Sequence, residues 1–284
     1  MTPEPTERAA SRTERATHLS RRLANLSGGP VPYLLRRTKR AHGLRATIDP
    51  RLGLVVSLPP ASRRGWAAPE PLVEAFLRSR EAWLQRHLAR RRALLAAVGE
   101  RGVVRDGGLL RFGGTLHRLR IEPGNGRRTT IEHDPGPPGD AGEGGTIRLR
   151  LAVGDPRTPA AILRDWCRSE ARRAVERAIE DHRAALAVTP RAIAIRDPRT
   201  RWGSASRQGR LSFSWRLVLA PPPALETVVV HELAHLRVFG HGPAFWTLVA
   251  SRRPDHAVWR RWLRDHALEL HLALDESARP SRAQ

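Results

Sequence analysis

The sequence predicts an α+β fold, with a β-rich N-terminal part holding one long helix and a more helical second half holding a short antiparallel or mixed sheet. Three observations carry this. Short apolar runs with strand-like alternation are bounded by Gly and Pro, two long stretches space their apolar residues by three and four, and the second half runs helix, short strands, helix, helix with no internal repeat.

In chain order, residues 1–35 are charged and poor in large apolar groups, and read as a disordered tail. Residues 43–58 offer two strand-like runs around Asp49-Pro50-Arg51-Leu52-Gly53, a hairpin. From Pro71 to Val98, Val73, Phe76, Leu77, Trp83, Leu84 and Leu88 recur between arginines as one amphipathic helix. Strands are expected at 109–112, 116–121 and 146–151. The Gly- and Pro-rich run 122–145 between the last two reads as a mobile hairpin loop. A composition shift near Asp155-Pro156 separates a first subdomain, 36–155, from a second, 156–273, leaving 274–284 as a second disordered tail.

The second part opens on a helix from Pro159 to Leu186, carrying Leu163, Cys167, Ala171, Val175 and His182 on its apolar face. Strands follow at 192–195, 202–206 and 211–219, the last alternating Leu211, Phe213 and Trp215 with Ser212 and Ser214. Prolines 221–223 stop that strand and start a helix over Ala224–Phe239, and a C-terminal amphipathic segment carries His256, His266 and His271.

Composition bounds the function. With 284 residues, 40% of them hydrophobic, the chain can bury a core as one large domain or two small ones. Its net charge of +22 would attract polyanions, yet the positive charge is almost all arginine, with Lys39 the only lysine, which reads as a composition bias. A nucleic-acid partner is possible on charge but has no motif to support it. Cys167 is the only cysteine, so neither an intrachain disulfide nor a Cys-based zinc cluster can form. No apolar signal segment precedes Gly28 and no apolar run reaches membrane-spanning length, so the expectation is a soluble, cytoplasmic protein with no membrane partner.

The chemistry concentrates at H-E-L-A-H, residues 231–235. On a helix, His231 and His235 lie about 40° apart around the axis, so both imidazoles reach one metal ion. Zn2+ is the natural candidate, with Glu232 as the catalytic base that takes a proton from metal-activated water. For a third ligand, His241 would face about 240° round if the helix continued, so the chain must break; Gly240 supplies the break as a left-handed C′ residue. Glu269 on a later helix is the alternative. Arg201 and Trp202 stand just before the site helix as candidates to line a substrate groove, with sheet packing and solvent exposure as the plain alternative. Trp215 reads as core, while Phe245 and Trp246 are expected to hold His241 in place. Tyr33 beside the tail is too remote for an oxyanion donor.

Residues 195–246 carry, in order, R-W-G-S, W-R-L-V-L-A-P, V-V-H-E-L-A-H-L and H-x-P-x-F-W. This run resembles the YgjP-like metallopeptidases, relatives of the SprT-like zincins, and the resemblance extends from about residue 36 to 270, failing over the tail and the 122–145 loop. It implies a minimal zincin domain with an H-E-x-x-H helix, a zinc site of His231, His235 and His241, and Glu232 as base. Ala205 stands where the family has cysteine in R-W-G-S-C-S, so no chemistry of that cysteine operates here. A peptide or protein substrate follows first. The alternatives are a nucleotide or phosphoanhydride hydrolase, in which Arg201 or Arg216 would neutralise the charge of a phosphorylated small molecule, and a nucleic-acid or partner-binding protein with a structural metal.

Overall fold

The computed structural model describes residues 19–49, 52–101, 104–136, 143–198 and 200–274. These form an α+β structure of three small sheets and six helices, in two compact units that divide between Arg92 and Ala93. None of these helices is long and apolar enough to cross a membrane.

The first unit is built on a sheet of β1 (Leu19–Leu26), β2 (Gly29–Arg37), β3 (Arg45–Asp49) and β4 (Gly53–Leu58), in the order β1-β2-β4-β3. β1 and β2 pair as a hairpin and β3 with β4 as the expected one, while β2 and β4 run parallel. The tail expected over 1–35 is thus, from Leu19 onward, part of a sheet; residues 1–18 lie outside the described residues, as do 275–284. Pro30 and Pro32 mask β2 in the sequence because proline gives a ladder no donor. In the strand, however, Val31, Tyr33 and Leu35 fall on one buried face. Tyr33 is therefore core, 4% exposed.

Leu54, Val56 and Leu58 of the fully buried β4 join that face, and Val73 and Leu77 of α1 (Glu70–Arg78) with Leu84 of α2 (Glu81–Arg101) complete its core. The single helix expected over 71–98 is two. At the break the Ser79 hydroxyl donates to the Phe76 carbonyl at 2.9 Å and the Arg80 amide bonds Leu77 three residues back, drawing the backbone out of α-helical spacing.

The second unit begins with β5 (Leu109–Phe112), β6 (Thr115–Pro123), β7 (Thr130–Asp134) and β8 (Glu143–Leu151), in the order β5-β6-β8-β7. β6 and β8 are parallel, so the 122–145 segment is a crossover rather than a hairpin loop, and it carries β7 antiparallel to β8. Residues 137–142 of it lie outside the described residues. Its glycines and prolines obscured a strand of only five residues. Helix α3 (Pro159–Arg183) is capped by Thr158, whose hydroxyl accepts from the Ala161 amide at 3.2 Å. Leu163, Cys167, Ala171, Val175 and Ile179, four apart, form its buried stripe, and burial drives the Cys167 thiol far above the ordinary thiol range.

A second sheet follows, β9 (Ala192–Arg196), β10 (Gly203–Ala205) and β11 (Arg210–Ser214), in the order β10-β11-β9 with β9 parallel to β11. The strand expected to reach Leu219 stops at Ser214, whose hydroxyl accepts from the Arg216 amide and opens a 3-10 turn over Trp215–Leu219. All five residues of that turn are buried, Arg216 included, where it pairs with Asp197 and lies 4.2 Å over the Trp215 ring. Helices α4 (Pro222–Ala234), α5 (Pro243–Arg252) and α6 (His256–Leu272) complete the chain.

One apolar cluster joins Leu110, Leu119, Ile147 and Leu149 of the first of these sheets to α3, the 3-10 turn and α4. A boundary at 155 would cut this core in two, which is why the compact unit begins at Ala93 instead. The β5–β6 turn docks on the same core: the Gly113 and Gly114 amides donate to Val218 and Leu219 at 2.9 and 3.1 Å. Gly114 has φ +91°, and a Cβ there would lie 2.8 Å from Pro221 Cγ and 3.0 Å from Pro221 Cα. Gly114→Ala should therefore destabilise the second unit by about 2 kcal/mol from backbone strain and overpacking. Urea unfolding checks this, and an unchanged midpoint would refute the docking of that turn on Pro221.

Candidate metal centre

Helix α4 is buried on nearly every side, its apolar run Leu225, Val228, Val229, Val230 and Leu233 facing neighbours all round. Pro222 begins it without needing the amide that proline lacks. The helix ends earlier than the expected Phe239: Ala234 is its last residue and His235 its cap. Beyond it the Leu236 and Arg237 amides bond three residues back, to Leu233 and Ala234 at 3.0 and 3.1 Å, so the last turn tightens. Gly240 is thus not a C′ residue, but at φ +93° it does turn the chain, and Gly242 and Pro243 at once start α5.

That turn brings His241 back. The ring centroids lie 4.8 Å apart for His231 and His235, 5.1 Å for His231 and His241, and 4.8 Å for His235 and His241. One ring nitrogen from each lies within 4.8 Å of the other two, and this is the one such group of three among the described residues. His241 Nε2 is 3.2 Å from His231 Nε2. Two nitrogens on one tetrahedral zinc, each at about 2.0–2.1 Å, would lie about 3.3 Å apart, so the spacing of this pair fits that ion. His235 Nδ1 lies 3.3 Å from the Val238 carbonyl oxygen, which can only accept; Nδ1 carries the hydrogen and Nε2 keeps its lone pair free.

Phe245, fully buried, floors the cluster, stacked on His235 at 4.4 Å and edge-on to His231 and His241 at 4.9 Å each. Trp246 lies along His241 at 5.8 Å, and His256 stacks on Trp246 at 5.2 Å. Burial, then the neighbouring His235 and His241, push His231 down to about 3, keeping its imidazole neutral.

Glu232 packs against Gly203 of β10 and is 6% exposed. Burial pushes its carboxyl up to about 7, against the opposing pull of the Arg201 charge and a hydrogen bond from the Ala205 amide. Gly203 makes room for it: a Cβ there would come within 2.6 Å of Glu232 Oε1 and 2.7 Å of its Cγ. Glu232 and His231 open onto a cleft of about 310 Å³, lined also by Arg201, Trp202, Arg260 and Arg264. Trp202 is backed by His271, stacked at 5.1 Å.

Of the residues singled out in the sequence, His231, His235, His241, Glu232, Arg201 and Trp202 come together here. Glu269 does not join the imidazoles; it is ion-paired with Arg111 at 3.0 Å. Arg216 is 1% exposed and paired with Asp197, so it cannot reach a bound phosphate. His182 lies against Arg252 and His266 against Trp262, both outside the cluster. Arg260 and Arg264 carry no signal in the sequence, and Gly203 stands in R-W-G-S with no role that spacing assigns it. The spacing of Arg260, Leu263 and Arg264 at i, i+3 and i+4 was available, but in an amphipathic helix it reads as an ordinary solvated face.

A Cβ at Gly240 would meet nothing within 4 Å, so a substitution there acts through its positive φ alone. Gly240→Val should cost about 1–2 kcal/mol and weaken the convergence of His241 on the other two imidazoles, while touching none of them. Urea unfolding together with zinc titration checks this; unchanged stability and affinity would show that the turn does not position His241.

The family description "YgjP-like, metallopeptidase domain" matches residues 43–266. No curated protein matches the sequence. Among solved structures, the metallopeptidase zymogen abylysin of Pyrococcus abyssi is similar over 32% of this chain and 93% of its own, with 20% identity and a TM-score of 0.30. The match over 43–266 takes in the three converging imidazoles, Glu232 and the cleft beside them, and the chain belongs to the YgjP-like metallopeptidase family.

Proposed function

We propose that the chain is a zinc-dependent peptidase in which His231, His235 and His241 hold the ion and Glu232 is the general base. The observation that carries this is the convergence of three imidazoles at the edge of a cleft that the buried carboxylate of Glu232 also lines. A zinc ion bound there supplies Lewis-acid activation of a water and of the substrate carbonyl. The chain's residues do the rest. His235 is oriented by its Nδ1–H bond to Val238, and Phe245 excludes water from beneath all three rings.

Glu232 takes the proton from the attacking water at a carboxylate oxygen and can return it to the leaving amine. Burial strengthens the hold of that carboxylate on a proton relative to a carboxylate in water. The Ala205 amide and Gly203 fix where that carboxylate lies, and Arg201 favours its charged form. Arg201 at the cleft also favours a second reading, hydrolysis of a phosphorylated small molecule, in which its guanidinium meets a phosphate.

Glu232→Gln should keep zinc at wild-type stoichiometry and lose about 10²–10⁴-fold in turnover. Gly203→Ala should also keep zinc and lose turnover, because the new methyl displaces the carboxylate. His231→Ala and His235→Ala should lose both, and His241→Ala should weaken zinc more than the roughly 10–100-fold that losing an outer-shell partner costs. Glu269→Ala should leave zinc affinity near wild type. Metal analysis and turnover of casein-like peptides and of a nucleoside triphosphate panel check these outcomes. Full peptide turnover by Glu232→Gln refutes the role of that residue, and triphosphate cleavage without peptide cleavage replaces the first reading with the second.

A further inference from the structure

The cleft beside His231 and Glu232 has a cationic wall drawn from two elements. Arg201 comes from the segment entering β10, while Arg260 and Arg264 come from α6, where they share one face with Leu263. Glu232 is the only acidic side chain in the lining. In a chain with 50 basic and 28 acidic residues, a solitary exposed arginine carries no message. These three differ because they converge on the same cavity as the candidate base.

Their partners differ as well. Arg111, Arg216 and Arg253 of the same unit are each paired with a carboxylate, Glu269, Asp197 and Glu226 respectively. Among the described residues Arg201 and Arg260 have no ion-pair partner, and Arg264 meets only its neighbour Asp265, at 3.7 Å with both side chains well exposed. Arg260 is held in place, its guanidinium 4.1 Å over Trp246, the ring that also lies along His241. Holding the guanidinium against an aromatic face lowers the entropy lost when it binds an anion. The remaining wall is mostly apolar, Val228, Leu263 and the His271-backed Trp202, with the Thr227 hydroxyl bonded to the Pro223 carbonyl, and it suits the stem of a side chain.

We infer that this cleft selects peptide substrates bearing a Glu or Asp side chain beside the scissile bond, with Arg260 and Arg264 pairing its carboxylate. The inference rests on the peptidase reading above. A guanidinium fork matches a carboxylate in two parallel hydrogen bonds, whereas an isosteric amide offers one acceptor and no charge.

The test uses the full-length zinc-loaded protein and quenched-fluorescence peptides identical except for Glu, Gln or Lys at each position flanking one cleavage site. At one flanking position kcat/KM should favour Glu over Gln by about tenfold or more, the factor a charge-assisted hydrogen bond provides, with Lys below Gln. The Glu-to-Gln ratio should shrink with added salt and fall toward one in the Arg260→Gln/Arg264→Gln double variant, with Arg260→Lys recovering part of it. Wild-type zinc content confirms that each variant is folded, and the wild-type ratio tests the inference even if a variant is not. Equal turnover of the Glu and Gln peptides overturns the inference and leaves the peptidase reading intact. Turnover of no peptide, with cleavage of a nucleoside triphosphate, overturns the peptidase reading and the inference with it.

Discussion

The second unit is arranged around the burial of α4. A helix whose apolar residues point in every direction cannot rest on one layer, because each exposed valine or leucine forfeits about 1.5–3 kcal/mol. Here α3, the 3-10 turn, the β9–β11 sheet, α5 and α6 surround it in a single core. Its polar groups are accommodated individually. Thr227 donates to the Pro223 carbonyl one turn back at 2.8 Å, and Glu232 receives the Ala205 amide. The carboxylate is still short of solvation, which is why its proton is held more firmly than in water. A buried acid of this kind costs stability, and its cost is the ordinary signature of a group placed for chemistry rather than for folding.

How much of this was legible in the sequence follows the range of the interactions concerned. Helices α3 and α4, the β3–β4 hairpin and the facing of His231 and His235 depend on residues within a turn or two of one another, and spacing alone exposes them. Features set by distant partners were misread. The β1–β2 hairpin hides behind prolines at 30 and 32, which are tolerated because β4 pairs with β2 only over Leu34–Arg37, so that among the described strands β1 alone borders the two prolines. The parallel pairing of β6 with β8 has no local signal, since it is made by a crossover whose own strand is five residues long. The early end of α4 escaped notice for a related reason: Leu236 and Val238 continue its apolar pattern, and only the tightened hydrogen bonds reveal that the helix has stopped.

The candidate site shows the same division. H-E-L-A-H announces two imidazoles and a carboxylate because a helix fixes their relation. The niche that holds the carboxylate does not announce itself. Gly203 looks like any glycine in a strand until Glu232 is seen packed against it, 29 positions later in the chain. Composition also obscured Arg260 and Arg264: in an arginine-rich chain the informative property is not the number of positive charges but which of them converge on a cavity.

The three imidazoles are held by two kinds of force, and both are needed. The backbone of α4 sets His231 and His235 on one face, but His241 arrives by a turn that passes through a positive φ at Gly240 and is secured by ring packing against Phe245 and Trp246. Phe245 touches all three rings, so the apolar surface that positions the last histidine also dries the other two. An imidazole can donate a lone pair to a metal only when it is unprotonated, and three imidazoles this close repel one another as cations. Burial and mutual proximity therefore act in the same direction, holding His231 down to about 3 and His235 below its ordinary value. The packing that closes the fold around α4 is thus also what keeps the His231 and His235 nitrogens available as ligands at neutral pH.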